Sequence, residues 1–100
     1  MYLARFCYSV MPVNRDRAIA LIEREVKAAR DHQLDARLLI PLTRGREGAA
    51  LIFELQIPSL DAFEQFRERG LGSDQATGNW MQAFNEILTC PPEVELLRVA

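Results

Sequence analysis

The residues best suited to chemistry are polar side chains that interrupt two apolar strand patterns. Arg5 and Ser9 lie in the first pattern, and Glu54 and Gln56 lie in the second. Strand side chains alternate between two faces, so each polar pair shares one face of its strand. An ionisable group on a mostly apolar face carries a desolvation penalty that ligand binding would justify. We therefore predict a small-molecule site around these four side chains. The alternative interpretation is that Arg5 and Glu54 pair with each other across neighbouring strands.

Trp80 marks a second location for a ligand. It lies on the apolar stripe of a helix predicted to run from about residue 74 to residue 88. A pocket between this helix and the sheet, bounded by Tyr8, Ser9, Phe63 and Phe84, would suit a flat aromatic compound. Such a pocket offers few groups for acid–base chemistry. The alternative interpretation of Trp80 is an ordinary core residue.

Histidine and cysteine are too sparse to predict metal or nucleophilic chemistry. The sequence contains one histidine, His32, and two widely separated cysteines, Cys7 and Cys90. These residues lack the spacing of metal ligands, and no serine can be matched with a histidine and an acid. His32 falls near the end of a predicted helix, where its ring can interact with the helix C-terminus. We predict no metal and no cofactor, and structural roles for both cysteines.

The periodicities that position these residues predict four strands and at least two helices. The predicted strands are Tyr2–Val10, Arg37–Thr43, Gly48–Ile57 and Glu93–Val99. Asn14 is a predicted N-cap of the first helix, with Val13 and Ala18 as a hydrophobic staple, and Ser59 is a predicted N-cap of the second. The order β-α-β-β-α(α)-β predicts an α+β ferredoxin-like sandwich with a four-stranded antiparallel sheet ordered 4-1-3-2. Pro41 places the second strand at an edge, and residues 44–48 form a predicted hairpin turn.

Length and composition narrow the functional classes. The chain has 100 residues, of which 49% are hydrophobic and 26% charged, and its net charge is −2. These values predict one globular domain over residues 1–100. We expect no nucleic-acid partner, because the pI is near 5.4, and no membrane partner, because no apolar run could span a bilayer. The N-terminus lacks a signal-peptide pattern, so we expect a cytoplasmic protein.

One face of the predicted sheet lacks a covering layer. Helices in this topology pack on one side, which leaves Leu3, Leu39 and Ile52 exposed on the other. An apolar patch of this kind is commonly covered by a second copy related by a two-fold axis. We therefore predict a homodimer whose interface contains these three residues.

Two stretches carry a resemblance to a known family. Leu38–Thr43 followed by a glycine-containing turn, then Phe53–Glu64, resembles the small bacterial NIPSNAP-like proteins of the dimeric α/β-barrel superfamily. The segments 80–84 and 95–99 fit the same pattern, so the resemblance covers nearly the whole chain. It implies a homodimer in which two sheets form a barrel with the helices outside. The matching features are strands, a turn and a helix start, and they contain no catalytic signature.

The resemblance leaves three functional hypotheses open. The first is an uncharacterised homodimeric α/β-barrel protein that binds a small molecule in or beside the barrel. The second is a cofactor-independent monooxygenase-like enzyme acting on a small aromatic compound, for which the resemblance implies an asparagine and a tryptophan around a cavity. Trp80 is the candidate tryptophan, flanked by Asn79 and Asn85. The third is an association module without chemistry. Haem-degrading relatives use a histidine on the later helix, and His32 does not match that position.

Overall fold

The strands form one antiparallel sheet of four. A computed structural model describes residues 1–43, 49–69 and 82–100 of the chain. The strands are β1 (Tyr2–Val10), β2 (Ala36–Leu39), β3 (Ala49–Ile57) and β4 (Glu93–Arg98), in the spatial order β2-β3-β1-β4. Alternating apolar residues drive β1 and β3 into the centre, where each strand pairs on both sides. The α+β ferredoxin-like fold and the predicted sheet order are therefore confirmed.

Two described helices connect the strands. Helix α1 (Arg15–Asp31) joins β1 to β2, and helix α2 (Leu60–Arg69) follows β3. Residues 82–85 are also helical and precede β4. The Ser59 hydroxyl oxygen accepts a hydrogen bond from the backbone N–H of Ala62 at 3.1 Å, so the predicted N-cap of α2 is confirmed.

The start of helix α1 differs from its prediction. A short 3-10 turn, Pro12–Asn14, precedes it, and Asn14 occupies the N-cap position without a side-chain capping bond. Val13 is 85% exposed, so the predicted hydrophobic staple is wrong. The helix ends in a Schellman motif, in which the N–H of Leu34 donates to the carbonyl oxygen of Ala29 at 2.9 Å. Gln33 takes the left-handed position of this motif, with a φ of 61°.

The hydrophobic core lies between the helices and one face of the sheet. Phe6 of β1 stacks on Phe53 of β3, with ring centroids 5.8 Å apart. Tyr8 packs against Phe84, with centroids 4.5 Å apart. The core residues of β1, β3 and α1 share one parity on each strand and one stripe on the helix: Ala4, Phe6, Tyr8, Val10, Ala18, Leu21, Ile22, Val26, Ala29, Leu51, Phe53, Leu55 and Ile57. The opposite parity of both strands is left outside this core.

The second strand is shorter than its sequence pattern predicts. β2 ends at Leu39, so Pro41 lies beyond the strand and not within it. Its edge position is confirmed, because β2 pairs only with β3 in the sheet order. The predicted hairpin turn at residues 44–48 lies outside the described residues, as does most of the helix predicted for residues 74–88.

Candidate functional site

The candidate site lies on the face of the sheet turned away from α1 and α2, which we call the open face. It comprises alternate residues of all four strands: Leu3, Arg5, Cys7, Ser9, Arg37, Leu39, Ala50, Ile52, Glu54, Gln56, Glu93, Glu95 and Leu97. The strand registers align these residues in rows that cross the sheet. One such row contains four charged residues, and we call it the charged row. Its neighbours across the sheet are Arg37 and Glu54, then Glu54 and Arg5, then Arg5 and Glu95.

Glu54 is the centre of the charged row. The Arg5 Nε donates to its Oε1 at 2.8 Å, and the Arg37 Nε donates to its Oε2. Each guanidinium therefore holds one carboxylate oxygen. The Glu54 side chain is only 3% exposed, whereas those of Arg5 and Arg37 are 39% and 63% exposed. The predicted pairing of Arg5 with Glu54 is thus confirmed, and the structure adds Arg37 as a second partner.

The two guanidinium groups keep Glu54 ionised. Burial by itself raises the pKa of this carboxyl, but the hydrogen bonds and positive charges of Arg5 and Arg37 outweigh burial. The net effect lowers the pKa of Glu54 below its ordinary value. Charge-assisted hydrogen bonds of this kind are stronger than those between neutral groups. The cluster is therefore a preformed set of ionised groups in the middle of the open face.

An open depression of about 880 Å³ lies beside the charged row. Its lining includes Arg5, Ser9, Ile52 and Glu95, together with Cys7 and residues that precede β4. A smaller depression of about 190 Å³ lies on the other side of Glu54 and includes Leu3, Arg37 and Gln56. The structure thus brings the predicted residues Arg5, Glu54 and Gln56 together along one face.

Ser9 lies on the open face but at its buried end. It is 7% exposed, and its backbone carbonyl oxygen accepts hydrogen bonds from the Thr89 N–H at 2.9 Å and the Thr89 hydroxyl at 3.1 Å. These bonds join β1 to the segment after residues 82–85. Ser9 therefore contributes to the wall of the larger depression and also anchors that segment.

The three residues predicted to form a dimer interface all lie on the open face, but not in one patch. Leu39 and Ile52 are direct partners in the register, whereas Leu3 pairs with Gln56 and Leu97. The charged row separates the two apolar groups. All three side chains are partly exposed in the single chain. The open face is therefore a charged row bordered by apolar groups, a pattern that Leu3, Leu39 and Ile52 alone did not reveal.

Both cysteines are free and line the larger depression. Burial raises the pKa of the Cys7 thiol, and the carboxylate of Glu93 and the nearby Cys90 act in the same direction. A raised pKa reduces the thiolate fraction and hence the reactivity of Cys7.

The helix-facing side of the sheet offers a different environment. Tyr8, Phe63 and Phe84 are all buried, and they belong to the same core cluster. Burial raises the pKa of the Tyr8 phenol well above its ordinary value, with a smaller contribution from the Glu25 carboxylate. Burial likewise raises the pKa of Glu25, although Arg24 opposes that effect. Trp80, the predicted aromatic wall of this location, lies outside the described residues.

His32 lies at the end of α1, away from the open face. The His32 Nδ1 lies 2.9 Å from the carbonyl oxygen of Ala28, at the C-terminal end of α1. This contact matches the predicted interaction with the end of the helix. Within residues 1–43, 49–69 and 82–100, no group of three or more histidine, cysteine or acidic side chains could hold a metal ion.

The sequence analysis did not identify three residues that lie on the open face or on the helix-facing side of the sheet. Arg37 lies two positions before Leu39 and therefore on the same face, so parity alone could have placed it there. Glu95 follows from the register of β4 with β1, which the sequence does not specify. Glu25 falls between Ile22 and Val26 on the apolar side of α1, and this position was its only signal.

Comparison with solved structures identifies the fold. An antibiotic biosynthesis monooxygenase matches with a TM-score of 0.76 and 15% identity, covering 100% of this chain and 99% of that chain. The protein Rv0793 from Mycobacterium tuberculosis matches with a TM-score of 0.70 and 18% identity, covering 100% and 96%. An uncharacterized NIPSNAP domain protein from Burkholderia xenovorans matches with a TM-score of 0.71 and 15% identity, covering 100% and 95%.

These similarities concern the fold, and they agree with the resemblance found in the sequence. The neighbours include both monooxygenase and NIPSNAP domain proteins, and at these identities they show a shared ferredoxin-like fold. No protein-family model and no curated protein matches the sequence. Among the helices that the structure describes, none is long and apolar enough to cross a membrane.

Proposed function

We propose that this chain acts as a homodimer whose two open faces pack into an α/β barrel, and that the barrel binds a small molecule against the charged row. The observation that carries the proposal is the cluster of Arg37, Glu54 and Arg5 on a sheet face that neither α1 nor α2 covers. A monomer would leave this cluster and its apolar neighbours in water.

The apolar neighbours support the dimer. Leu39 and Ile52 on one side of the charged row, and Leu3 and Leu97 on the other, remain partly exposed in the single chain. Burying such side chains stabilises an association by about 25 cal/mol per Å² of apolar surface. A second sheet at the usual spacing of about 10 Å would cover them.

The charged row supports a polar ligand site inside the barrel. Glu54 accepts one hydrogen bond from each arginine Nε, so its charge is already compensated. Both arginine side chains keep substantial exposure, and guanidinium groups have five N–H donors each. Arg5 and Arg37 can therefore donate to a ligand while Glu54 holds them in place. Gln56 and Ser9 lie at opposite ends of the same face and would bound the ligand.

A second candidate is a cofactor-independent oxygenase that acts on a small aromatic compound. The similarity to an antibiotic biosynthesis monooxygenase favours it. In that case the substrate would lie between the sheet and the helices, near Tyr8 and Trp80. The remaining alternative is an association module with no ligand.

Native mass spectrometry of the purified protein tests these proposals. We expect a dimer, with any co-purified small molecule seen as added mass. A panel of small aromatic compounds, with and without carboxylate groups, should then be screened by thermal shift against three proteins: the wild type, the double variant Arg5→Leu/Glu54→Leu and Trp80→Phe.

Loss of binding in the double variant alone, with the dimer intact, supports the site on the charged row. Loss in Trp80→Phe alone supports the helix-side site and the oxygenase. A dimer that binds nothing in any form leaves the association module. The exposed α1 variant Glu23→Gln serves as the control, because it lies away from both locations.

A further inference from the structure

The two cysteines lie near opposite ends of the sequence, yet the fold brings them to one wall of the larger depression. Cys7 belongs to β1, and Cys90 lies in the segment that leads into β4. Both thiols are free, both residues are partly exposed, and both line the depression. Because the sequence contains two cysteines in all, the fold places both of its thiols at the same location.

Backbone pairing on both sides of Cys90 holds it beside β1. Before it, the Thr89 N–H donates to the carbonyl oxygen of Ser9 at 2.9 Å. After it, Glu93 is the direct partner of Cys7 in the register of β4 with β1. The segment from Thr89 to Glu93 is two residues longer than the stretch of β1 that it faces, so it bulges between these two anchors. Cys90 lies in this bulge and lines the depression, which places the bulge on the side of the open face.

We propose that Cys7 and Cys90 form a reversible dithiol–disulfide pair, which a peroxide oxidises to a disulfide within one chain. A disulfide joins Cα atoms about 4.4–6.8 Å apart, close to the spacing of about 4.5–5.5 Å between antiparallel partners. Residues 90–92 belong to no strand, so the bond requires a shift of the bulge and none of the sheet. The bond ties the segment before β4 to a central strand and narrows the depression.

The oxidation consumes one hydrogen peroxide molecule for each pair of thiols. The thiolate of Cys90 attacks one peroxide oxygen, the O–O bond breaks, and protonation of the leaving hydroxide gives water and a sulfenic acid. The thiol of Cys7 then loses its proton and attacks the sulfenic sulfur. The S–S bond forms, the S–O bond breaks, and the departing hydroxide takes up the proton as a second water. Two electrons pass from sulfur to oxygen.

The charges around Cys7 set the order of these steps. Burial raises the pKa of the Cys7 thiol, and the carboxylate of Glu93 and the thiolate of Cys90 act in the same direction. Cys7 therefore stays protonated while Cys90 carries a negative charge, and Cys90 reacts first. The sulfenic acid of Cys90 is neutral, so its formation removes one of the charges that oppose ionisation of Cys7. The second step is thus favoured once the first has occurred.

Peptide mapping of the wild type tests the proposal without a substitution. The protein is treated with hydrogen peroxide at a concentration that fully oxidises glutathione, and the remaining thiols are then blocked with iodoacetamide. Trypsin cleavage gives peptides 6–15 and 70–98, which contain Cys7 and Cys90 respectively. We expect these peptides to be joined in protein taken from the single-chain band of a non-reducing gel. Dithiothreitol should separate them.

Single variants test the order of the two steps. In Cys7→Ser, the sulfenic acid of Cys90 has no thiol to resolve it within the chain, so dimedone should label Cys90. In Cys90→Ser, the remaining thiol is that of Cys7, and its dimedone labelling at pH 7 should be at least about 10-fold slower. Circular dichroism of both variants, compared with the wild type, controls for an effect of either substitution on folding.

The outcomes do not depend on the oligomeric state or on ligand binding, so this inference can fail or hold independently of the proposed function. Peptides 6–15 and 70–98 joined within one chain support the pair. Two free thiols after the peroxide treatment overturn it, as does a disulfide found only between chains, which appears as a band of twice the mass. Equal rates of dimedone labelling in the two variants overturn the assigned order.

Discussion

Glu54 is the residue on which the open face depends. Its carboxylate holds Arg5 and Arg37 through two hydrogen bonds while being 3% exposed. Glu54→Gln keeps the side-chain shape but removes the charge that both guanidinium groups require. We expect the free energy of unfolding to fall by about 1–2 kcal/mol, a modest value because both arginines are partly exposed to solvent. Urea unfolding at pH 7 measures this change, and Glu23→Gln is the matched control.

The stability lost in Glu54→Gln should depend on pH. The pKa of Glu54 is lower in the folded chain than its ordinary value of 4.5. A depressed pKa contributes stability that is complete above the unfolded pKa and is lost as the pH falls through the folded pKa. The stability difference between the wild type and Glu54→Gln should therefore shrink as the pH is lowered from 7 to 3. A difference that stays constant over this range would contradict the assignment of a charged Glu54.

The contribution of Glu25 to stability should change with pH in the opposite direction to that of Glu54. Burial raises the pKa of this carboxyl above its ordinary value, so the folded chain holds its proton more tightly than the unfolded chain. The ionised form thus costs stability as the pH rises through this interval. We expect Glu25→Gln to raise the midpoint of thermal unfolding at pH 7 and to have little effect at pH 3. A lower midpoint at pH 7 would show that the carboxylate makes a stabilising contact.

At the level of the secondary-structure elements, the C-terminal end of α1 contains one residue in an unfavourable backbone conformation. Gln33 occupies the left-handed position of the Schellman motif, with a φ of 61°. This conformation is unfavourable for residues with a Cβ and natural for glycine. Gln33→Gly should therefore raise the free energy of unfolding by about 0.5–1 kcal/mol, since Gln33 is exposed and loses no packing. Chemical denaturation measures the gain, and Gln65→Gly in the exposed interior of α2 should lower stability instead.

The strands and helix ends were predicted correctly from the sequence wherever one local preference was much stronger than the others. The alternation in β1 and β3 predicted the two central strands correctly. The edge position of β2 was also predicted correctly, although Pro41, on which that prediction relied, lies beyond the strand. The signal failed where two local preferences competed. At the start of α1, Pro12 favours a 3-10 turn, which carries Val13 into solvent and replaces the expected staple.

The candidate site was predictable only in part for the same reason. Parity placed Arg5 and Glu54 on one face, and their contact followed from neighbouring strands. Arg37 shares the parity of Leu39, so the alternation in β2 could have placed it on the same face, although the sequence analysis did not use that signal. Glu95 required the register of β4 with β1, a long-range pairing that no local pattern encodes.

For the whole molecule, the decisive feature is a sheet covered on one side. Its core lies between the helices and one face, and its open face combines a charged row with partly exposed apolar groups. A domain of this size can fold with such a face exposed, but an apolar surface of this kind is a common site of association. Both the proposed barrel and the proposed ligand site within it therefore require a second copy of the chain.

The most direct test is the mass of the wild type and of Ile52→Lys by size-exclusion chromatography with light scattering. Ile52 lies at the centre of the open face, and a lysine there would bury an unpaired charge at the interface. We predict twice the chain mass of 11.4 kDa for the wild type and for the control Val13→Lys, whose position is 85% exposed. We predict the single-chain mass for Ile52→Lys, with a helical and strand content by circular dichroism that matches the wild type. A monomeric wild type, or an Ile52→Lys protein that remains a dimer, would contradict the proposed barrel.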